Sequence, residues 1–395
     1  MERMADNVSW GRGKTLGRGC DAGGEPRWEG EVRGLRDYIE AHPEIGIGAD
    51  EVCIPGEWRA GFYQRFDTIR RAVVESWDPS LYAEVRALSQ SFLAAERRLS
   101  ETLSLEVGLA QDLSSFLRSP AEGLMRLIHG RLFELIQGKI SGEDFARLAA
   151  GDLAAGAAGM FRIGYETWAA LAMILLLEPD GIWGIALDGD GRPLTTEMRE
   201  IAFGRQFHHP ARRIPEFVFH SKKLGGHVAF KMPLAGEVNA YRVPVEMPTQ
   251  RLLRNRNGDS SSVLGPRMIF LSVVRDLKDI PIFADLHKRT VHGPDLSIEC
   301  VTDRDLAAPE ILGQIQNRLD ILRPRLGGTL ALVDAKSKPQ AFTTARKMRV
   351  VSAGLEASGF QPVVDALAEP SIRHSASERE PKTDTIESAH DGRFS

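Results

Sequence analysis

The hydrophobic period of this chain changes near Trp183, and that change constrains the fold more than any other feature. Before it, apolar residues recur at helical spacing, as in helices that bury one face. After it, short β-branched runs alternate with polar residues between Gly, Pro and Asn clusters, as in half-buried strands. Helices first and strands later satisfy both burial patterns as an α+β fold. The expected organisation is a helical region over residues 31–180 and an α/β domain over 181–365. The sheet should be mainly antiparallel and flanked by helices.

Within the helical region, Phe62, Phe66, Ile69 and Val73 make one stripe, and Asp78-Pro79-Ser80 interrupts it. A second stripe runs through Leu81, Val85, Leu88, Phe92, Leu99 and Leu103. Ser119-Pro120 is a cap followed by a first-turn proline, and "SGED" from Ser141 is a capping-box start. "TWAALAMILLL", residues 167–177, is the most apolar run. It is far short of the ~20 residues that span a membrane, and Glu166 and Glu178 bracket it, so it reads as a buried helix with no membrane role. His129 reads as packing rather than as a ligand.

Beyond Trp183, "DGDG" at Asp188 is a turn; Arg192 stands where a calcium loop needs its third acid. A helix is expected over 196–207. Strands follow at 216–220, 227–233, 239–246, 268–274, 280–286 and 295–302, then a helix over 309–322, a strand over 329–335 and a helix over 343–357. Residues 1–30 and 366–395 are polar and expected to be disordered.

Several chemistries lack their residues. Cys20, Cys53 and Cys300 form no CxxC or Cys/His cluster. Such sparse cysteines fit a reducing cytoplasm, and the first 30 residues lack the apolar core of a secretory signal. "GRGKT" misses the first glycine and preceding strand of a P-loop, and there is no G-x-S-x-G or dinucleotide fingerprint.

Charge points elsewhere. The net charge of −4 conceals an asymmetry: residues 191–350 hold 26 basic and 16 acidic side chains, residues 1–190 hold 20 and 30. A basic stretch between acidic flanks suggests nucleic acid as a partner. Arg212 and Arg213 of "HHPARR", Lys222 and Lys223 of "HSKK", and Arg251, Arg254 and Arg256 are the cations expected to track a phosphate backbone. Their alternative is a solvated face. Tyr241 and Phe230 could stack on bases, or could be core. His208-His209 has no carboxylate at ligand spacing.

"IPIFADLHKRTVHGPDLSIECVT", residues 280–302, reads as two strands carrying one acid each, Asp285 and Glu299. With the order helix, antiparallel strands, helix, strand over about 195–335, "AD…IEC" resembles the core of the PD-(D/E)XK, or restriction-endonuclease-like, nuclease superfamily. The resemblance implies that Asp285 and Glu299 hold Mg²⁺ as catalytic acids. The family's lysine, two residues after the second acid, is here Val301, and Lys288 is its substitute. A second alignment uses Pro294-Asp295 with Asp334 and Lys336. In the first, the acid-bearing strands pair antiparallel, and at a residue sum of 584 the acids lie directly opposite. Leu296, Ile298 and Cys300 alternate, which puts Glu299 on the face away from the main apolar one, beside Ser297 and Val301. The function implied is nucleic-acid processing or binding on a nuclease-like, active or inactive, core. The rival is a protein-interaction scaffold whose contact surface is the acidic helical region.

Overall fold

The computed structural model describes residues 26–202, 212–233, 268–285, 290–302, 305–306, 308–333 and 348–368. The expected strand at 239–246, the basic loop at 251–262, Lys288, Asp334 and Lys336 lie outside them. So do His208-His209 and most of both terminal tails.

Seven helices come first: α1 (Arg27–Glu40), α2 (Gly56–Trp77), α3 (Pro79–Leu103), α4 (Gln111–Arg118), α5 (Pro120–Leu127), α6 (His129–Ile136) and α7 (Gly142–Leu176). Asp78 ends α2 and starts α3, its carboxylate accepting from Ser80 N and Leu81 N. Ser141 caps α7 by accepting from Asp144 N at 3.1 Å. The two stripes read from the sequence face inward, with Leu103 half-buried at the end of α3. Along α7, residues 163–175 are all buried. Gly164 lets α7 approach α3 and α4, since a Cβ there would press on Leu117 and Leu88. Two two-residue strands, β1 (Gly46–Ile47) and β2 (Val52–Cys53), pair antiparallel between α1 and α2. No described helix is long and apolar enough to cross a membrane.

The sheet strands are β3 (Glu106–Gly108), β4 (Pro179–Leu187), β5 (Pro193–Glu197), β6 (Glu200–Ala202), β7 (Arg212–Arg213), β8 (Phe217–Ser221), β9 (Gly226–Lys231), β10 (Met268–Val274), β11 (Ala284–Asp285), β12 (Thr290–Val291), β13 (Leu296–Val301), β14 (Gly328–Leu332) and β15 (Met348–Ser352). Helices α8 (Pro309–Leu322) and α9 (Gln361–Ala368) complete the described elements. Eight strands form one sheet in the order β15-β14-β13-β10-β9-β8-β4-β5. Its pairings are antiparallel except β13–β14 and β14–β15. The fold is α+β with a mostly antiparallel sheet, as the change of period implies. The chain runs from β13 through α8 to the adjacent parallel β14, the crossover that parallel strands require.

Two expected helices are corrected. Of the first, the described part, up to residue 202, is extended: Thr195 and Thr196 pair with Ile185 and Gly184, and buried Ile201 pairs with Val107. Helical lettering yields there to β-branched residues beside a ready strand edge. In the 343–357 stretch, residues 348–352 form β15, whose Val350 and Val351 lie against Leu330 and Ala331 of β14. Among the described residues of the expected strand at 280–286, Ala284 and Asp285 are in a strand and 280–283 are not.

One continuous apolar core covers one sheet face. Leu296, Ile298, Cys300, Ile269, Leu271, Phe217, Phe219 and Phe230 join the buried half of α7 in it. The opposite face is covered in pieces. Ile315 and Leu319 of α8 cover Val301, Leu330 and Leu332; Phe283, Ala284 and Leu322 cover Met268 and Phe270; Ile280 and Ile214 cover Ile185 and Val218.

Candidate functional site

The two acids singled out in the sequence are placed on different sheets. Asp285 ends β11, the middle strand of a three-stranded sheet ordered β12-β11-β7, where it stands opposite Thr290 and Arg212. Glu299 lies in β13, opposite Met268 of β10 and Leu330 of β14. The expected direct pairing of their strands does not form. The residues between them are used to build β12, which takes the edge of β11 that β13 was expected to occupy.

Each carboxylate is matched to an arginine. Arg212 Nε donates to Asp285 Oδ2 at 3.0 Å, and its Nη1 donates to the Gly191 carbonyl at 2.6 Å. That carbonyl belongs to the "DGDG" turn between β4 and β5, which forms as a turn: Asp188 Oδ1 accepts from Arg192 N at 2.7 Å. Gly191 has φ +78°, and any side chain there would run into the Arg212 guanidinium. Glu299 is held by both oxygens: Arg318 Nε donates to Oε1 at 3.1 Å and Nη2 to Oε2. This two-point match is the strongest geometry a carboxylate and a guanidinium can adopt. Asp285 and Glu299 are 3% and 6% exposed, which is why each needs a counter-charge. A third pair lies just ahead of β13, where buried Asp295 accepts from Arg325 Nε at 2.9 Å and from Val273 N at 2.7 Å.

Glu299 does sit on the face away from the apolar core, as alternation implies. That face is not open, because α8 lies across it. Arg318 could have been found from the sequence. It falls within the inward stripe of Ile315, Leu319 and Leu322 on α8, and a charge at such a position needs a buried partner.

The expected nucleic-acid contacts divide. Arg212 is turned inward to Asp285, its side chain 16% exposed. Arg213 is half-buried beside it in β7. Lys222 is exposed and Lys223 half-buried in the turn between β8 and β9. Arg251, Arg254 and Arg256 lie outside the described residues. Phe230 is fully buried and stacks on Phe217 at 4.6 Å, so it is core and not a base platform. His129 packs its ring edge-on against Phe66 and Phe133. Burial pushes the Cys300 thiol well above its usual range, with the nearby Glu166 charge adding to the effect, so it is no nucleophile.

Mg²⁺ shared by Asp285 and Glu299 does not fit this arrangement. Their strands belong to separate sheets, and a guanidinium already supplies each carboxylate's counter-charge. Among the described residues no three His, Cys, Asp or Glu side chains group as metal ligands. Comparison of the chain with protein-family models, with curated proteins and with solved structures returned no match.

Proposed function

We propose that this protein binds nucleic acid without cutting it, on a core arranged like that of the restriction-endonuclease-like proteins. The observation that carries the reading is the Glu299–Arg318 pair. It occupies the strand position where the resemblance puts a metal-holding acid, beside a β13–α8–β14 crossover and an antiparallel meander. A guanidinium there supplies the positive charge that a catalytic core would take from Mg²⁺, and Val301 supplies no lysine. Binding rests on the surplus of cations over residues 191–350, of which Lys222 is an exposed, described member. The sparse cysteines support a cytoplasmic setting.

The test is to incubate the full chain with plasmid and single-stranded DNA in Mg²⁺, Mn²⁺ or EDTA. The expected outcome is retention of DNA that weakens steeply with salt, because each neutralised phosphate releases counterions. No metal-dependent nicking is expected. Cleavage abolished by Asp285→Asn would restore the catalytic reading. DNA affinity indifferent to salt, or no affinity, would remove nucleic acid as the partner.

The rival scaffold reading draws on a shallow hollow on the helical side, lined by Val52, Ile54, Arg59, Tyr63 and Phe133. Tyr63, at 37% exposed, is one of the few large apolar side chains left open to solvent among the described residues. If a protein partner sits there, Tyr63→Ala should abolish its capture while leaving the melting temperature within about a degree or two.

A further inference from the structure

The exposed end of β8 and β9 carries two histidines directly opposite each other. His220 and His227 are cross-strand partners, and their ring centroids are 5.1 Å apart. Directly opposed residues share a face, so both imidazoles rise from the same side of the sheet. This is the side away from the apolar core, the side also occupied by Trp183 of β4.

The partners of the two rings decide what they offer. His220 Nδ1 lies 2.7 Å from Asp180 Oδ1, and His227 Nδ1 lies 3.4 Å from the Arg275 carbonyl oxygen. A carboxylate and a carbonyl accept and do not donate, so each Nδ1 carries the proton of its ring. In the neutral ring Nε2 is then a bare lone pair, the form of imidazole that binds a metal ion. A ligand histidine typically gives its other N–H to a carboxylate or a backbone carbonyl, which fixes the ring and raises its basicity. Both histidines here have that support, one of each kind.

Asp180 is placed by a local irregularity. The register of β4 against β8 shifts between Pro179 and Gly181, which leaves Asp180 as the extra residue of a bulge. A bulge re-aims the side chain at its site. Here it delivers the carboxylate to His220 instead of leaving it in the ladder. The His220 and Asp180 side chains are 33% and 36% exposed, so an ion can reach the pair from solvent.

We propose that His220 and His227 together bind one divalent transition-metal ion through their Nε2 atoms, with Asp180 as the positioning residue of His220 and water in the remaining coordination places. The spacing suits it. A tetrahedral ion at ~2.1 Å from each nitrogen holds two imidazole centroids roughly 5 Å apart. Imidazole nitrogen favours Zn²⁺, Ni²⁺ or Cu²⁺ over Mg²⁺ or Ca²⁺, which take oxygen. With two protein ligands the site is open and exchangeable, unlike a closed structural zinc centre. It uses none of the arginine-paired acids and stands apart from the nucleic-acid reading.

The test uses the full chain without an affinity tag, titrated with Zn²⁺ and with Cu²⁺ against a chromophoric chelator. One equivalent should bind, and either His220→Ala or His227→Ala should lower its affinity at least tenfold. Asp180→Asn should lower it roughly tenfold by loosening His220. A His208→Ala, His209→Ala variant should bind as the parent does. Cu²⁺ should also quench the fluorescence of Trp183, whose ring is 5.7 Å from that of His227; comparison with Trp183→Phe isolates that signal. Uptake unchanged in His227→Ala, or no uptake by the parent, overturns the proposal. An independent measurement needs no variant of the pair: ¹⁵N-histidine spectra of the metal-free chain should show both rings protonated at Nδ1. A proton on Nε2 of either ring in its neutral form would also overturn it.

Discussion

The two faces of the eight-stranded sheet are held by different physics. The face toward α7 is apolar from Phe217 across to Val351 and joins the main core without a break. The opposite face is a patchwork of three small apolar clusters, beside which lie buried carboxylates on arginines and a histidine pair at the open end. Apolar burial has no direction and scales with area, so the first face tolerates any neighbour of the right shape. Charge pairs depend on angle and distance and lose most of their value when one member is removed. The comparison teaches where this chain has specificity to lose and where it has only bulk.

The strongest way to break the comparison is to put a charge on the first face. Leu171 of α7 is fully buried. Leu171→Asp should cost more than about 4 kcal/mol and leave the chain unfolded or aggregated. A variant that melts at the parental temperature would mean that α7 is not the centre of the core.

Next comes the second face. Arg318→Met alone should destabilise by roughly 3–5 kcal/mol, because it strands the buried Glu299 carboxylate. Adding Glu299→Met should recover most of that loss, since two apolar side chains can replace a buried pair. Denaturant melts of the two singles and the double give the coupling directly. Additive costs would show that the two side chains do not interact in solution.

A smaller effect is expected at Gly191. Gly191→Ala strains a residue at φ +78° and displaces Arg212 from Asp285, which should cost about 1–3 kcal/mol by thermal melting. The same substitution should leave the Glu299–Arg318 coupling unchanged, because the two pairs belong to separate sheets.

The smallest effect lies off the sheet and concerns acid. Burial beside Phe66 and Phe133, together with the Arg70 charge, holds the His129 imidazole below its usual value of 6.5. The unfolded chain then binds that proton more readily than the folded one. Stability is therefore full above pH 6.5 and falls as pH drops through the lowered folded value. His129→Gln should flatten this part of the stability profile, measured by melts between pH 5 and 8. An unchanged profile would assign the acid response to other groups.

Much of the first face was legible in the sequence. The stripe from Leu81 to Leu99, the run at 167–177 and the alternation of Leu296, Ile298 and Cys300 each announce which side is buried, because local periodicity and burial follow the same geometry. The helix at 309–322 and the strand at 268–274 have the bounds that the periodicity implies. The candidate site was legible only in part. Asp285 and Glu299 could be named as acids on short extended segments, but the counter-charges come from Arg212, 73 residues away, and Arg318, 19 away. The strand at 348–352 and the extended chain near 195–202 carry lettering that reads as helix, since it suits either form until a neighbouring edge is available.

By itself the sequence determined the fold class, the buried half of α7 and the face on which Glu299 lies, because each depends on a period within one segment. Only the tertiary structure decided what stands opposite each polar side chain. Tertiary packing put Asp285 and Glu299 on different sheets, gave each an arginine, and set His220 against His227 beside the bulged Asp180. The reason is that a buried or half-buried polar group is satisfied by whichever partner the strand order brings within about 3 Å, and strand order is a long-range choice that no local period encodes.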